Sequence, residues 1–302
     1  MGLRTVLYWV YRCIVKIVSL LPYSLVLAIG RLLGALYYLL IKKQVNLARS
    51  AICEHLAVSR EEAGKITKAM CRNIGMTFME ILYMPALNAA NIRQFVKIER
   101  EEALREAIAE KKGVVVLAIH MDNWEWLGAA LSLYGYPLTS FIKKQPGESV
   151  NRILEYLRTK VGIELFTRGT GETVAAARAM KKGKMLGFIA DQDGGRDGIF
   201  VPFLGTMAST PAGPAFFAQK FKAPIVPIFI VRDPGGGHKT IVCDKFYYED
   251  TGDQQKDMYN CTRKMTGIVE GIIRRYPDNW LWFQRRWNTP YPGAGKGVPG
   301  DA

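Results

Sequence analysis

Lys111-Lys112-Gly113-Val114-Val115-Val116-Leu117-Ala118-Ile119-His120-Met121-Asp122-Asn123-Trp124-Glu125 is the stretch on which the reading of this 302-residue chain turns. Six consecutive apolar residues, bounded by Lys-Lys-Gly before and His120 after, describe a short strand covered on both faces. Trp124 to Leu133 then returns to helical character. A buried strand that runs straight into a helix is the repeating unit of an α/β sheet.

Outward from there the unit recurs. Met185 to Ala190 is a second apolar run, preceded by an alanine-rich helix over Glu172 to Lys182 that closes at Gly183. A third, Ile225 to Val231, follows Ser209-Thr210-Pro211, which reads as a helix start. Thr240 to Cys243 offers one more strand and Met258 to Arg275 a helix. Residues 44–110 read as helices, with Ser59 and Glu62 as a capping box. The expected fold is α/β, a mixed and largely parallel sheet flanked by helices, over residues 44–287. The Gly/Pro-rich residues 288–302 read as a loose tail.

Residues 1–43 have a different texture. Leu3 to Ile41 is almost unbroken in apolarity and is divided at Pro22. The first part carries Arg12 and Lys16 four residues apart, as on an interfacial helix with snorkelling cations. The second, Tyr23 to Ile41, approaches the roughly 20 residues that cross a bilayer. The charged interruptions and the lack of a small-residue cleavage site argue against a signal peptide. Lys42, Lys43 and Arg49 follow at once, and next to a spanning segment they would keep the body cytoplasmic. A monotopic or single-span anchor with a cytoplasmic body is expected.

The formal charge of +14 asks for a polyanionic partner: an anionic membrane, an acidic carrier protein or nucleic acid. Nucleic acid ranks last, because aromatics do not interleave with the basic clusters. Five scattered cysteines without a C-x-x-C pair give neither a zinc site nor a disulfide framework, and fit a reducing compartment.

His120 stands where the first strand stops, and ligands collect at the carboxyl ends of strands in open α/β sheets. Glu125 falls in the first turn of the next helix. The two side chains form a candidate pair in which an imidazole acts as general base and a carboxylate orients it. An H-x4-E match is weak by itself, and a structural histidine competes with it. Zinc motifs and a G-x-S-x-G elbow are both absent, so no metal and no serine nucleophile is expected. Asp191 repeats the placement of His120 after the second strand, where an acidic side chain could bind a sugar hydroxyl or fix a cation; a plain Asp/Gly turn is the alternative. Arg158 lies on the polar side of an amphipathic helix over Val150 to Val161, either to clamp a phosphate or to pair with Glu155.

Several separated blocks then become recognisable in order. They are His120-x4-Glu125 with Asn123-Trp124, Asn151 with Arg158, and Asp191-Gln192-Asp193. Phe200-Val201-Pro202-Phe203-Leu204-Gly205, Pro224-Ile225-Val226-Pro227, and Pro277-Asp278-Asn279-Trp280-Leu281-Trp282 through Arg285-Arg286-Trp287 complete them. Together they resemble the late acyltransferases of lipid A biosynthesis, the lauroyl/myristoyl acyltransferase family, with phosphatidylinositol mannoside acyltransferases as relatives.

The resemblance implies an N-terminal hydrophobic anchor, residence at the cytoplasmic (inner) membrane, and transfer of a fatty acyl chain from an acyl carrier protein thioester to a lipid hydroxyl, without a cofactor. It implies His120 and Glu125 as the catalytic dyad, with Asn123, Arg158 and Asp191 binding substrate. The family commonly has glycine where Asp122 stands, so this carboxylate either bears on acceptor choice or points to solvent. Lys143-Lys144, Lys181-Lys182-Lys184 and Arg285-Arg286 are candidate docking clusters for an acidic carrier. Two alternatives stay open: an acyl-CoA-dependent enzyme acting on a phosphatidylinositol mannoside, and a non-catalytic basic membrane-binding protein.

Overall fold

The computed structural model describes residues 3–142, 147–167 and 170–292. Four helices lead: α1 (Leu3–Ser19), α2 (Tyr23–Leu40), α3 (Lys42–Leu56) and α4 (Arg60–Tyr83). Next come the short α5 (Ile92–Phe95), β1 (Val96–Ile98), α6 (Glu101–Ala109), β2 (Val114–Ala118) and α7 (Trp124–Leu133). β3 (Leu138–Ile142), α8 (Glu148–Lys160), β4 (Glu164–Thr167), α9 (Thr170–Lys181) and β5 (Met185–Ile189) follow. The chain continues through β6 (Ile199–Phe203), β7 (Thr206–Thr210), α10 (Gly213–Phe221), β8 (Ile225–Arg232), β9 (His238–Val242) and α11 (Gln254–Arg275).

Among the described residues seven strands form one sheet in the order β1-β9-β8-β2-β5-β3-β4. β8, β2, β5, β3 and β4 run parallel, while β9 returns antiparallel to β8. β2 sits at the centre with all five residues buried. Its side chains alternate: Val115 and Leu117 pack in one core with α10 and α11 residues such as Phe217 and Val269. Val114, Val116 and Ala118 pack in the other, with Trp126 of α7 and Leu157 of α8. Helices therefore cover both faces, as the continuous apolar run requires.

Sequence reading missed five strands. β1, β3 and β4 are short and carry no clear alternation, and residues 96–98 fell inside a region read as helical. β6 and β7 form a separate hairpin whose two-residue turn places Leu204 at φ +48° and Gly205 at φ +86°, the positive-φ pair of a tight hairpin. Ser209-Thr210 does not start a helix: both residues end β7, and α10 begins at Gly213 with Pro214 in its first turn. Ser59 does cap α4, its Oγ accepting from the Glu62 N–H at 3.1 Å.

α1 and α2 lie against the body. Gly30 and Gly34 of α2 meet Gly75 of α4 so closely that a Cβ on Gly75 would fall 2.5 Å from the Gly34 nitrogen. Small residues one turn apart let two helix backbones touch. α2 is one helix long and apolar enough to cross a membrane, and most of it is unburied. Leu32, Leu36, Leu39 and Leu40 of α2 are exposed, together with Trp9, Ile14 and Ile17 of α1 and Phe78 of α4. The Arg12 guanidinium, expected as a snorkelling cation, stacks 3.6 Å from the Tyr156 ring of α8.

Candidate active site

β2 and β5 are adjacent and parallel, and their register pairs Ala118 with Ile189. Two residues past each strand end stand His120 and Asp191. His120 Nδ1 lies 2.8 Å from Asp191 Oδ1, and the His120 backbone N–H donates to Asp191 Oδ2 at 3.0 Å. A carboxylate accepts, so Nδ1 carries a proton, and in the neutral ring Nε2 keeps its lone pair. Among the described residues Nε2 makes no hydrogen bond. Asp191 is fully buried and also accepts from Trp280 Nε1 and Gln284 Nε2, each at 2.7 Å. The C-terminal segment also holds the turn itself: the Leu281 N–H donates to the His120 carbonyl at 3.0 Å, and the Asp122 N–H to the Asn279 carbonyl at 2.7 Å.

The carboxylate that orients the imidazole is thus Asp191 and not Glu125. Glu125 accepts from Arg158 Nε at 2.8 Å, Arg158 Nη2 at 2.5 Å and Trp124 Nε1 at 3.2 Å. The Trp124 ring stands between, 4.9 Å from the His120 ring. Glu125 is near enough for its charge to act on the imidazole. Arg158 pairs with Glu125 across two helices rather than with Glu155 on its own. Asn123 is fully buried and belongs to the turn: Oδ1 caps α7 by accepting from the Trp126 N–H at 3.0 Å, while Nδ2 donates to Glu80 at 3.1 Å.

Asp122 does not point to solvent. It is buried at φ +42°, with Oδ1 2.9 Å from Arg232 Nη2 and Oδ2 2.5 Å from His238 Nδ1. Glu80 completes the group, accepting from Arg232 at 2.7 and 2.9 Å and from the Tyr23 hydroxyl at 2.7 Å. Sequence reading missed Glu80, Arg232 and His238, as well as Trp280 and Gln284. The last two stand in or beside the closing block, which was their only signal.

Burial alone would lower the His120 pKa, but the Asp191 carboxylate outweighs it, with help from Glu125, and the imidazole is raised above its ordinary value. Asp191 is lowered despite burial by the same contact and by its Gln284 and Trp280 donors.

Beside the dyad an apolar slot opens between the sheet and α7. Trp124, Glu125 and Arg158 stand at one part of its wall; Leu127, Leu131, Leu138, Ile163 and Leu165 line the rest, with Gly187 among the lining residues. No group of three or more His, Cys, Asp or Glu side chains suited to a metal occurs among the described residues. Of the basic clusters, Lys143-Lys144 lies outside the described residues. Lys181 and Lys182 are exposed, Lys184 pairs with Glu164 at 2.5 Å, and Arg286 is buried against the Phe203 ring, donating to Ser209 and Thr210.

A mixed sheet covered by helices thus presents an oriented imidazole beside an apolar slot at its strand ends. The chain belongs to the bacterial lipid A biosynthesis acyltransferase family, whose model matches residues 2–289. It is 25% identical over 278 residues to a lipid A biosynthesis palmitoleoyltransferase of Escherichia coli (strain K12), covering 89% of this chain and 87% of that protein. With the lipid A biosynthesis lauroyltransferase of the same organism it shares 24% over 299 residues, 95% and 93% of the two chains. A phosphatidylinositol mannoside acyltransferase of Mycolicibacterium smegmatis is 22% identical over 225 residues, covering 74% of this chain and 72% of that protein. The protein is an acyltransferase.

Proposed function

We propose that the enzyme moves a fatty acyl chain from an acyl carrier protein thioester to a hydroxyl of a lipid A precursor or related glycolipid, at the cytoplasmic face of the inner membrane. The observation that carries this reading is the His120–Asp191 hydrogen bond, which leaves Nε2 as a base at the mouth of a sheet-end site. Nε2 takes the acceptor hydroxyl proton as the oxygen attacks the thioester carbonyl. The C–S bond then breaks, and the departing thiolate takes the proton back from the imidazolium. Asp191 fixes the tautomer and, with Glu125, stabilises the imidazolium as it forms. Glu125 is itself held in place by Arg158 and Trp124.

The apolar slot suits the donor chain, since Leu127, Leu131, Leu138 and Leu165 offer only hydrocarbon contact. The exposed apolar residues of α1 and α2 suit a bilayer surface that supplies the acceptor. A net charge of +14 suits both an acidic carrier and an anionic membrane.

His120→Ala is expected to lower acyl transfer by about 10²–10⁴-fold while the variant still folds and partitions to membranes as the parent does. Wild-type turnover in that variant removes His120 from the mechanism. Purified protein offered matched carrier-protein and CoA thioesters, with lipid A precursors and phosphatidylinositol mannosides as acceptors, identifies both substrates. Transfer from CoA alone overturns the carrier-protein donor, and transfer only to the mannoside overturns the lipid A acceptor.

A further inference from the structure

Behind the catalytic turn four ionisable side chains from four parts of the chain meet: Glu80 of α4, Asp122 of the turn, Arg232 of β8 and His238 of β9. His238 is fully enclosed, its Nδ1 2.5 Å from Asp122 Oδ2 and its Nε2 3.1 Å from Glu80 Oε1. Both partners are carboxylate oxygens, which accept and do not donate. Each ring nitrogen therefore carries a proton, and His238 is an imidazolium. Two carboxylates, one guanidinium and one imidazolium then sum to zero, as a group whose two carboxylates and imidazole are all buried favours.

This neutral cluster grips the turn that carries His120. Asp122 has a left-handed backbone at φ +42°, a conformation that residues other than glycine seldom adopt. Its carboxylate is fixed by His238 and Arg232, and its N–H by the Asn279 carbonyl. Asn279 also accepts through Oδ1 from the Arg232 N–H at 3.1 Å. Further along the same segment, Leu281 and Gln284 hold the His120 carbonyl and Asp191. Neighbouring Asn123 adds its amide to Glu80. The groups that place the turn relative to Asp191 are thus tied, directly or through the Asn279 segment, to the ion cluster.

We propose that Asp122 and His238 are positioning residues for His120: their ion pair, closed by Glu80 and Arg232, holds the turn in its left-handed form and so sets the imidazole against Asp191. Neither touches substrate. The groups facing His238 are Glu80 from α4, Asp122 from the turn and Arg232 from β8, with Tyr23 of α2 behind Glu80 and the Trp126 ring 5.3 Å away. Burial alone would lower the His238 pKa, but the Asp122 and Glu80 carboxylates outweigh it and push it up to about 9. Above that pH the imidazolium loses a proton, one nitrogen turns a lone pair on a carboxylate, and the turn is released. The rate is then expected to fall on the alkaline side because of a residue outside the reacting site.

The positioning role rests on the acyl-transfer reading, whereas the protonation of His238 does not. Ring ¹⁵N and ¹H spectra of the full chain in detergent micelles, with His238→Gln for assignment, should show both His238 nitrogens protonated at pH 7 and titrating near pH 9. A neutral His238 ring at pH 7 overturns the proposal whatever the enzyme's substrate.

Kinetics supply the second arm. Asp122→Asn tolerates the same backbone angle and removes the charge. It should lower kcat at least tenfold, leave both KM values within twofold, and move the alkaline limb down by one pH unit or more. His238→Gln, which leaves the turn sequence intact, should abolish that limb. A folded variant of either kind with wild-type kcat and an unmoved alkaline limb overturns the positioning role. A parent protein inactive on every thioester sinks the proposed function and leaves the spectroscopic result standing.

Discussion

His120 and Asp191 meet across the ends of β2 and β5 because Ala118 is paired with Ile189 and each chain runs two residues further. The contact is therefore a consequence of strand register, and a one-residue slip would separate the two groups. Asp191→Asn tests it. An amide can donate to Nδ1 and so favours the other tautomer, with the proton on Nε2. We expect kcat to fall by about 10²–10⁴-fold with little change in KM.

The pH profile of that variant carries a second reading. Asp191 raises the His120 pKa, and a general base works only when unprotonated. The parent's rate should therefore climb through a pKa above the ordinary histidine value of about 6.5. In Asp191→Asn the acid limb should move to lower pH; rate measurements from pH 5 to 8 would reveal a limb that stays in place.

Glu125 and Arg158 hold each other, so their substitutions should not add. Glu125→Gln and Arg158→Gln are each expected to reduce kcat, and the double variant to be little worse than the poorer single one. A coupling energy of about 1–3 kcal/mol in the double-mutant cycle fits contact of this kind. Additive losses would mean that the two residues act separately.

Gly187 lies in the slot, and a Cβ there would sit 3.4 Å from Leu138 Cδ1, an ordinary contact. Gly187→Ala should therefore be accepted by the fold and narrow the slot. Donor preference should shift toward shorter acyl chains, by roughly 1 kcal/mol per methylene excluded. Competition between thioesters of graded length measures the shift, and an unchanged profile would place the donor chain elsewhere.

The helix contact makes a stability prediction. Gly75→Ala forces a Cβ against the Gly30 carbonyl and the Gly34 backbone, which cannot give way as a side chain would. Overpacking of this kind costs about 1–3 kcal/mol. Thermal unfolding should show a lower midpoint, while Gly171→Ala, with open space around it, should not.

Much of this was legible in the residues. Val114 to Ile119 gave the central strand because a strand buried on both faces has no polar alternation, and the strand ends then pointed to His120 and Asp191. Their partnership was not legible: it depends on which strands are neighbours, and the chain runs β2-β3-β4-β5 while β2 pairs with β5. Glu125 is closer in sequence to His120, which made it the natural orienter on paper. Arg158 and Trp124 take up its carboxylate instead. His238, Glu80 and Arg232 gave no local sign at all, because a buried ion cluster is assembled from single residues on separate elements.

The Tyr23 hydroxyl donates to Glu80 from the first turn of the same helix that presents its leucines to the outside. Removing the first forty residues to obtain a more tractable protein would accordingly do more than strip away grease. It would expose the Gly75 ridge of α4, take a donor from a sealed carboxylate, and uncover the aromatic nest of Phe95 and Trp126 against which Tyr23 packs. The leading helices are part of the wall of the enzyme, and expression strategies should keep them and supply detergent or lipid.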